Sequence, residues 1–192
     1  ASDSASKTTK STGSLDDDKR KASPLFAVLS PSFYQDKGQY KLGEGSLVGY
    51  AAVNDTDKVN ALLTNPIAKA QFPKDLRLLW SSKATGNNVV TLYAIRANTR
   101  DGLAPLDGST IIDARQDFDL RGNVEVTMQM NAEGAKIWAD MTKRNIGKSI
   151  AIVLDDYVQS APTVNGEIPN GRSSISMGSG SKNEQLSDAS DL

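Results

Sequence analysis

The stretch from Val124 to Pro162 constrains this chain more than any other, because it fixes the type and order of three elements. Val124, Val126, Met128 and Met130 alternate with Glu125, Thr127 and Gln129. A period of two gives a strand with one buried and one wet face. Asn131 follows as a helix cap, its side-chain oxygen able to accept a first-turn N–H. Glu133 lies in that first turn, where the helix dipole favours negative charge. The predicted helix buries Ala135, Trp138, Ala139 and Thr142, with Ile137 and Met141 beside them at i, i+4 spacing. Lys143 and Arg144 suit its carboxyl end, and Gly147 is placed to take the left-handed conformation that ends it. Ile150 to Leu154 is an uninterrupted apolar run, predicted as a central strand covered on both faces. Asp155-Asp156 turns the chain into Tyr157 to Ala161 as a hairpin, and Pro162, with no N–H to donate, stops that strand.

Residues of this stretch also carry a family resemblance. Gly134, Ala135, Trp138, Thr142, Asn145, Gly147, Lys148, Ala151 to Asp155, Ser160 to Pro162, Ile168, Gly171 and Ile175 occur in an order that resembles SecD or its SecDF fusion, the accessory membrane subunit of the Sec protein-export machinery. The match is to the head of that family's first large periplasmic domain and covers roughly residues 106–175. Two positions depart from the pattern. Asp156 stands where the family usually has Gly, and Met177 where it usually has the Gly of Ile-x-Gly, with Gly178 one residue later. Lys58-Val59-Asn60 and Leu79-Trp80-Ser81 resemble the enlarged first half of fused SecDF proteins from Bacteroides-like bacteria.

The remainder reads as punctuated α+β structure. Residues 1–23 are Ser, Thr, Lys and Asp with almost no apolar content, a composition expected of a disordered linker. Leu25, Phe26, Val28 and Leu29 open the ordered part, and Ser30 to Gly45 is polar and turn-rich, with Tyr34 and Tyr40 as expected anchors. Ser46 to Val53 reads as a strand. Asp55 or Thr56 caps a short helix holding Val59, Leu62 and Leu63, and Pro66 starts a second that Pro73 stops. Leu76 to Ser81 and Val89 to Ala97 read as strands joined by Gly86-Asn87-Asn88. Asn98 to Pro105 is a connector, Ser109 to Asp113 a further strand, and residues 173–177 supply the last.

The fold class is therefore α+β: a mixed, mostly antiparallel sheet with a few short helices packed on one face. The residues divide as a linker over 1–23, a variable α+β region over 24–105 and the head-like region over 106–192. Whether the last two share one composite sheet or form two subdomains stays open. The first residue is Ala, and Ser-Asp-Ala-Ser-Asp-Leu at the end reads as the start of a helix, so the chain is expected to be a fragment of a longer protein.

Chemistry is sparsely represented. With no Cys and no His, the chain lacks thiolate ligands and the commonest general base and metal ligand. Its 22 basic and 23 acidic residues nearly cancel, which gives no reason to expect nucleic acid. No apolar run reaches the roughly 20 residues that cross a bilayer. Asp155-Asp156 is an adjacent pair on a turn, not two acids facing across a cleft. Asp117-x-Asp119-x-Arg121-Gly122 opens like a calcium loop, but Arg121 and Met128 occupy positions that need oxygen ligands, so a loop closed by Gly122 is the reading. Ser160 has no evident base. Asn54-Asp55-Thr56 matches the glycosylation sequon but equally serves as turn and cap. No catalytic, cofactor or metal residue is assigned.

The resemblance implies a module outside the plasma membrane, in a membrane-embedded parent, that contacts unfolded preprotein emerging from the Sec translocon channel and assists proton-motive-force-driven export. Tyr157, Val158, Pro162, Val164 and Ile168 are the expected polypeptide-contact residues. Two other classes stay open. A small-ligand or glycan-binding envelope module requires an exposed Trp80 or Trp138, and a carboxylate hydrolase requires converging acids, at least one with a raised pKa.

Overall fold

The computed structural model describes residues 23–36, 39–43, 45–97, 99 and 103–176. The expected linker before Ser23, the side chain of Tyr40, and everything from Met177 onward lie outside the described residues. The elements run α1 (Pro24–Val28), β1 (Ser30–Pro31), β2 (Phe33–Asp36), β3 (Gln39–Leu42), β4 (Leu47–Ala52), α2 (Thr56–Leu63), α3 (Pro66–Lys69), β5 (Leu76–Trp80), β6 (Val89–Arg96), β7 (Ile111–Phe118), β8 (Val124–Met130), α4 (Ala132–Arg144), β9 (Ile152–Leu154), β10 (Tyr157–Ser160) and β11 (Arg172–Ser176). Every strand pair among these is antiparallel, so the α+β class stands.

The first half folds around a four-stranded sheet in the order β1-β4-β6-β5. Its core joins Leu29, Ala51, Val59, Trp80, Val90 and Leu92, with Leu25, Val28, Val48, Leu63 and Leu78 packed around them. Leu92 and Val59 are fully buried, which places α2 over the middle of β6. Asp55 precedes α2, but its carboxylate pairs with Lys58 at 2.8 Å and caps no amide, so the expected side-chain cap is not formed. Asn65 caps α3 instead, accepting from Ile67 N at 3.0 Å. The β5–β6 connection turns at Asn87 and Asn88, both at positive φ, which Asn tolerates better than most residues. Ser30 to Gly45 holds a hairpin, β2 on β3, and Tyr34 is 40% exposed and anchors no core.

The second half is a three-stranded sheet in the order β11-β8-β7 plus α4 and the β9–β10 hairpin. β8 occupies the predicted residues, and Val124, Val126 and Met130 on one face are buried. Ile175 on β11 lies opposite Val126 and completes that core with Met128 and Ile152. Asn131 Oδ1 accepts from Gly134 N at 2.8 Å, the predicted cap. Helix and sheet then approach so closely that side chains at two positions are excluded. A Cβ on Gly134 would lie 2.8 Å from Thr110 Cβ, and one on Gly171 would lie 2.7 Å from Ala135 Cβ. Both glycines belong to the resemblance pattern; close packing is a physical reason for both, and Gly171 also lies at φ +64°, where side chains are strained.

Three expectations need correction. α4 ends at Arg144 with Asn145 as its cap, whose Nδ2 donates to Met141 O at 2.8 Å; Gly147 does adopt φ +76°, but only after the helix has stopped. Ile150 to Leu154 is not a central strand. Only Ile152–Leu154 is extended, in a two-stranded hairpin with β10, and Val153 and Leu154 are 42% and 53% exposed. An apolar run reports that residues avoid water on average, not which neighbours arrive to cover them. Lastly, β7 extends to Phe118, well beyond the expected Asp113. Its exposed, polar residues hid an edge strand that β8 organises by backbone pairing.

Candidate functional site

The residues expected to contact polypeptide lie on β10 and the loop after it, and the structure separates them into two groups. Asp155 and Asp156 form the β9–β10 turn at φ 51° and 63°, the left-handed pair of a two-residue hairpin loop. Tyr157 follows, opposite Leu154, and the two are 51% and 53% exposed at the hairpin tip. Val158 is 2% exposed. It sits at the seam between the halves: its carbonyl accepts from Ser82 N at 2.9 Å and it bridges Ser81, just past the end of β5. Val164 is buried too, held as its N–H donates to Lys148 O at 2.9 Å and its carbonyl accepts from Gly147 N at 2.8 Å. Val158 and Val164 therefore position the hairpin and its loop from inside the protein, and neither side chain reaches the surface.

Pro162 and Ile168 are half-buried. Pro162 O accepts from Ile150 N at 3.1 Å. Ile168 N donates to Thr142 Oγ1 at 3.0 Å, and that hydroxyl in turn donates to Trp138 O at 2.7 Å. Thr142 is fully buried, so one hydroxyl clamps the loop to the inner face of α4. A Thr on an otherwise apolar helix face was the available signal for this clamp. The exposed members that sequence reasoning passed over, Val153 and Leu154, belong to the run misread as a covered strand.

The competing chemistries lose their expected signatures. Both tryptophans are 8% exposed, which leaves no face for a sugar ring to stack on. Among the described residues no Asp or Glu is buried, and no group of three or more acidic side chains could hold a metal ion. The described carboxylates whose pKa moves all move down, opposite to what a protonated general acid requires. Asp75 is lowered by its hydrogen bond from Arg96, Asp107 by hydrogen bonds from Ser109, and Asp119 by those from Asn123 and Arg121. Asp119 Oδ1 accepts from the N–H groups of Arg121 and Asn123 at 2.8 Å each, so the calcium-like sequence is a self-satisfied turn closed by Gly122 at φ +80°.

The chain matches the family model described as SecDF, P1 head subdomain, over residues 93–191. It is 41% identical over 158 residues to the protein translocase subunit SecD of Rhodothermus marinus, covering 81% of this chain and 24% of that one. The corresponding subunit of Desulfurispirillum indicum is 47% identical over 70 residues, 36% of this chain and 14% of its own. A solved structure described as SecDF, a membrane component that enhances protein export, superposes with a TM-score of 0.36 and 20% identity, over 94% of this chain and 89% of that one. The chain thus spans a quarter or less of the length of these two relatives.

Proposed function

The chain belongs to the SecDF P1 head subdomain family, and from that footing we propose that it is the periplasmic head of an accessory Sec translocase subunit, touching polypeptide as it leaves the channel and assisting its proton-motive-force-driven export. The partners in this reading are unfolded preprotein and, through the full-length membrane-embedded protein, the Sec translocon channel. None of the described helices is long and apolar enough to cross a membrane, so in this reading bilayer attachment falls to other parts of the parent.

The observation that carries the reading is the hairpin tip. Leu154 and Tyr157 expose apolar surface side by side on a two-residue turn, and Pro162 and Ile168 are half-buried on the loop that follows β10. Unfolded chains present apolar side chains without fixed order, and a small apolar ledge with a wet aromatic hydroxyl suits contacts that form and release. Tyr157, Pro162 and Ile168 are the touching residues in this proposal. Val158 and Val164 are the packing that holds them in place. An NMR titration of the labelled chain with an unfolded export substrate tests it. Amide shifts at Leu154, Tyr157 and Ile168 are expected, and an unperturbed hairpin under saturating substrate would remove this surface from the proposal.

A further inference from the structure

Asn is followed directly by Gly at two places in the chain, Asn165-Gly166 and Asn170-Gly171, and the fold holds them in opposite ways. Such a pair is chemically labile because a Gly nitrogen, with no Cβ beside it, can reach the preceding side-chain amide. The second pair is locked. Gly171 is buried, its carbonyl accepts from Met130 N at 2.8 Å, and a Cβ built on it would meet Ala135 Cβ at 2.7 Å, so the backbone there has no room to turn. Asn170 Oδ1 accepts from Arg172 N at 3.1 Å, which fixes the side chain as well. The first pair is open. Asn165 is exposed, nothing lies within 4 Å of a Cβ built on Gly166, and no hydrogen bond among the described residues holds either of them. The pair nevertheless sits between two anchors. Val164 is tied to Gly147 and Lys148 through both of its backbone groups, and Ile168 N donates to Thr142 Oγ1 at 3.0 Å.

We propose that Asn165 is a site of spontaneous covalent modification, in which its side-chain amide is lost and the loop between Val164 and Ile168 gains a carboxylate. Hydroxide takes the proton from Gly166 N, and that nitrogen attacks Asn165 Cγ. The N–Cγ bond forms, the Cγ–Nδ2 bond breaks, and the side-chain nitrogen takes up a proton from water and leaves as ammonia, so that a five-membered imide remains. Water then opens the ring. Cleavage of the new N–Cγ bond gives aspartate at 165. Cleavage of the bond between Gly166 N and the main-chain carbonyl carbon gives iso-aspartate, with one more carbon in the backbone. One water is consumed, one ammonia is released, and nothing is oxidised or reduced. Either product sets a new negative charge two residues from Glu167, which pairs with Lys143 at 3.5 Å. The iso-aspartyl product also lengthens the span between the two anchors. Ile168 is held by one hydrogen bond and Val164 by two, so the added length is taken up at Ile168 and weakens its tie to Thr142.

The two Asn-Gly pairs make the chain its own control. The full chain is incubated at mildly alkaline pH, well below its unfolding midpoint, and peptide mapping by mass spectrometry follows the mass gain of OH over NH2 at each Asn. Conversion at Asn165 is expected to be at least tenfold faster than at Asn170 in the folded chain. In concentrated urea, where both pairs are equally free, the two rates should come within about threefold of each other. Gly166→Ala should slow conversion at Asn165 at least tenfold while leaving the fold intact, since the added methyl meets open space. In the aged protein, hydrogen exchange at the Ile168 amide should speed up, and it should do so less in Asn165→Asp, which carries the charge without the extra backbone carbon. Equal rates at Asn165 and Asn170 in the folded chain would overturn the proposal. A rate difference that persists undiminished in urea would overturn it too, because the neighbouring sequence and not the fold would then be its cause.

Discussion

Trp80 and Trp138 are both 8% exposed, yet they differ in one hydrogen bond, and that difference gives a sharp test of how the two halves are held. Trp80 Nε1 donates to Asn60 Oδ1 at 3.0 Å. Trp138 Nε1 is buried and has no acceptor among the described residues. Replacing either with Phe deletes two ring carbons and the nitrogen, and at roughly 0.8 kcal/mol per buried carbon the lost packing is about 1.6 kcal/mol in each case. At Trp80 a hydrogen bond worth about 1 kcal/mol goes as well, so Trp80→Phe should destabilise by about 2.5 kcal/mol. At Trp138 the substitution also removes an unsatisfied buried donor whose cost is about 1–3 kcal/mol, so the net change should fall near zero. The assay is urea unfolding at pH 7 followed by far-UV circular dichroism. Since the chain has two tryptophans, each variant leaves one fluorophore, in one half, to follow separately. A Trp138→Phe variant that loses as much stability as Trp80→Phe would refute the reasoning and mean that the indole N–H is satisfied or that ring packing dominates.

The remaining predictions concern the elements that place the hairpin and helix. Asp156→Gly should stabilise the hairpin by about 0.5–1 kcal/mol, because Gly relieves the left-handed backbone at φ 63°; the shift in urea midpoint measures it. Gly134→Ala should destabilise by about 1–2 kcal/mol, since the contact 2.8 Å from Thr110 outweighs the gain of about 1 kcal/mol in helix propensity; thermal unfolding reads the sign. Asp75, Asp107 and Asp119 are held below their ordinary value of 3.8, so they bind fewer protons folded than unfolded at low pH. Their contribution is present above the unfolded pKa and drains away as pH falls through the lower folded values, so urea midpoints should drop from about pH 5 downward and drop less in Asp119→Asn.

What the sequence disclosed follows from where its information is local. The alternation from Val124 to Met130, the Asn131 cap and the Asp155-Asp156 turn are each set by a few adjacent residues, and each forms as read. Gly134 and Gly171 were recognisable only as members of a pattern, and the structure supplies the reason, a helix packed against sheet and loop at Cβ-excluding distance. The misreadings concern long-range coverage. Whether Val153 and Leu154 are covered depends on what packs above the β9–β10 hairpin, and the halves leave that face open while sealing Val158 at their seam. Val164 was expected on the surface for the same reason, because its burial comes from backbone pairing with the loop at Lys148. β7 escaped notice because an edge strand needs neither apolar residues nor alternation of hydrophobicity once a neighbour such as β8 organises it.

The central claim, that the β9–β10 tip meets polypeptide in transit, is tested most directly in the full-length protein within membrane vesicles. A photoreactive residue replacing Tyr157 should cross-link to an export intermediate stalled in the channel, and one replacing the exposed Asp140 on α4 should not. A cross-link at 140 with none at 157 would contradict the account.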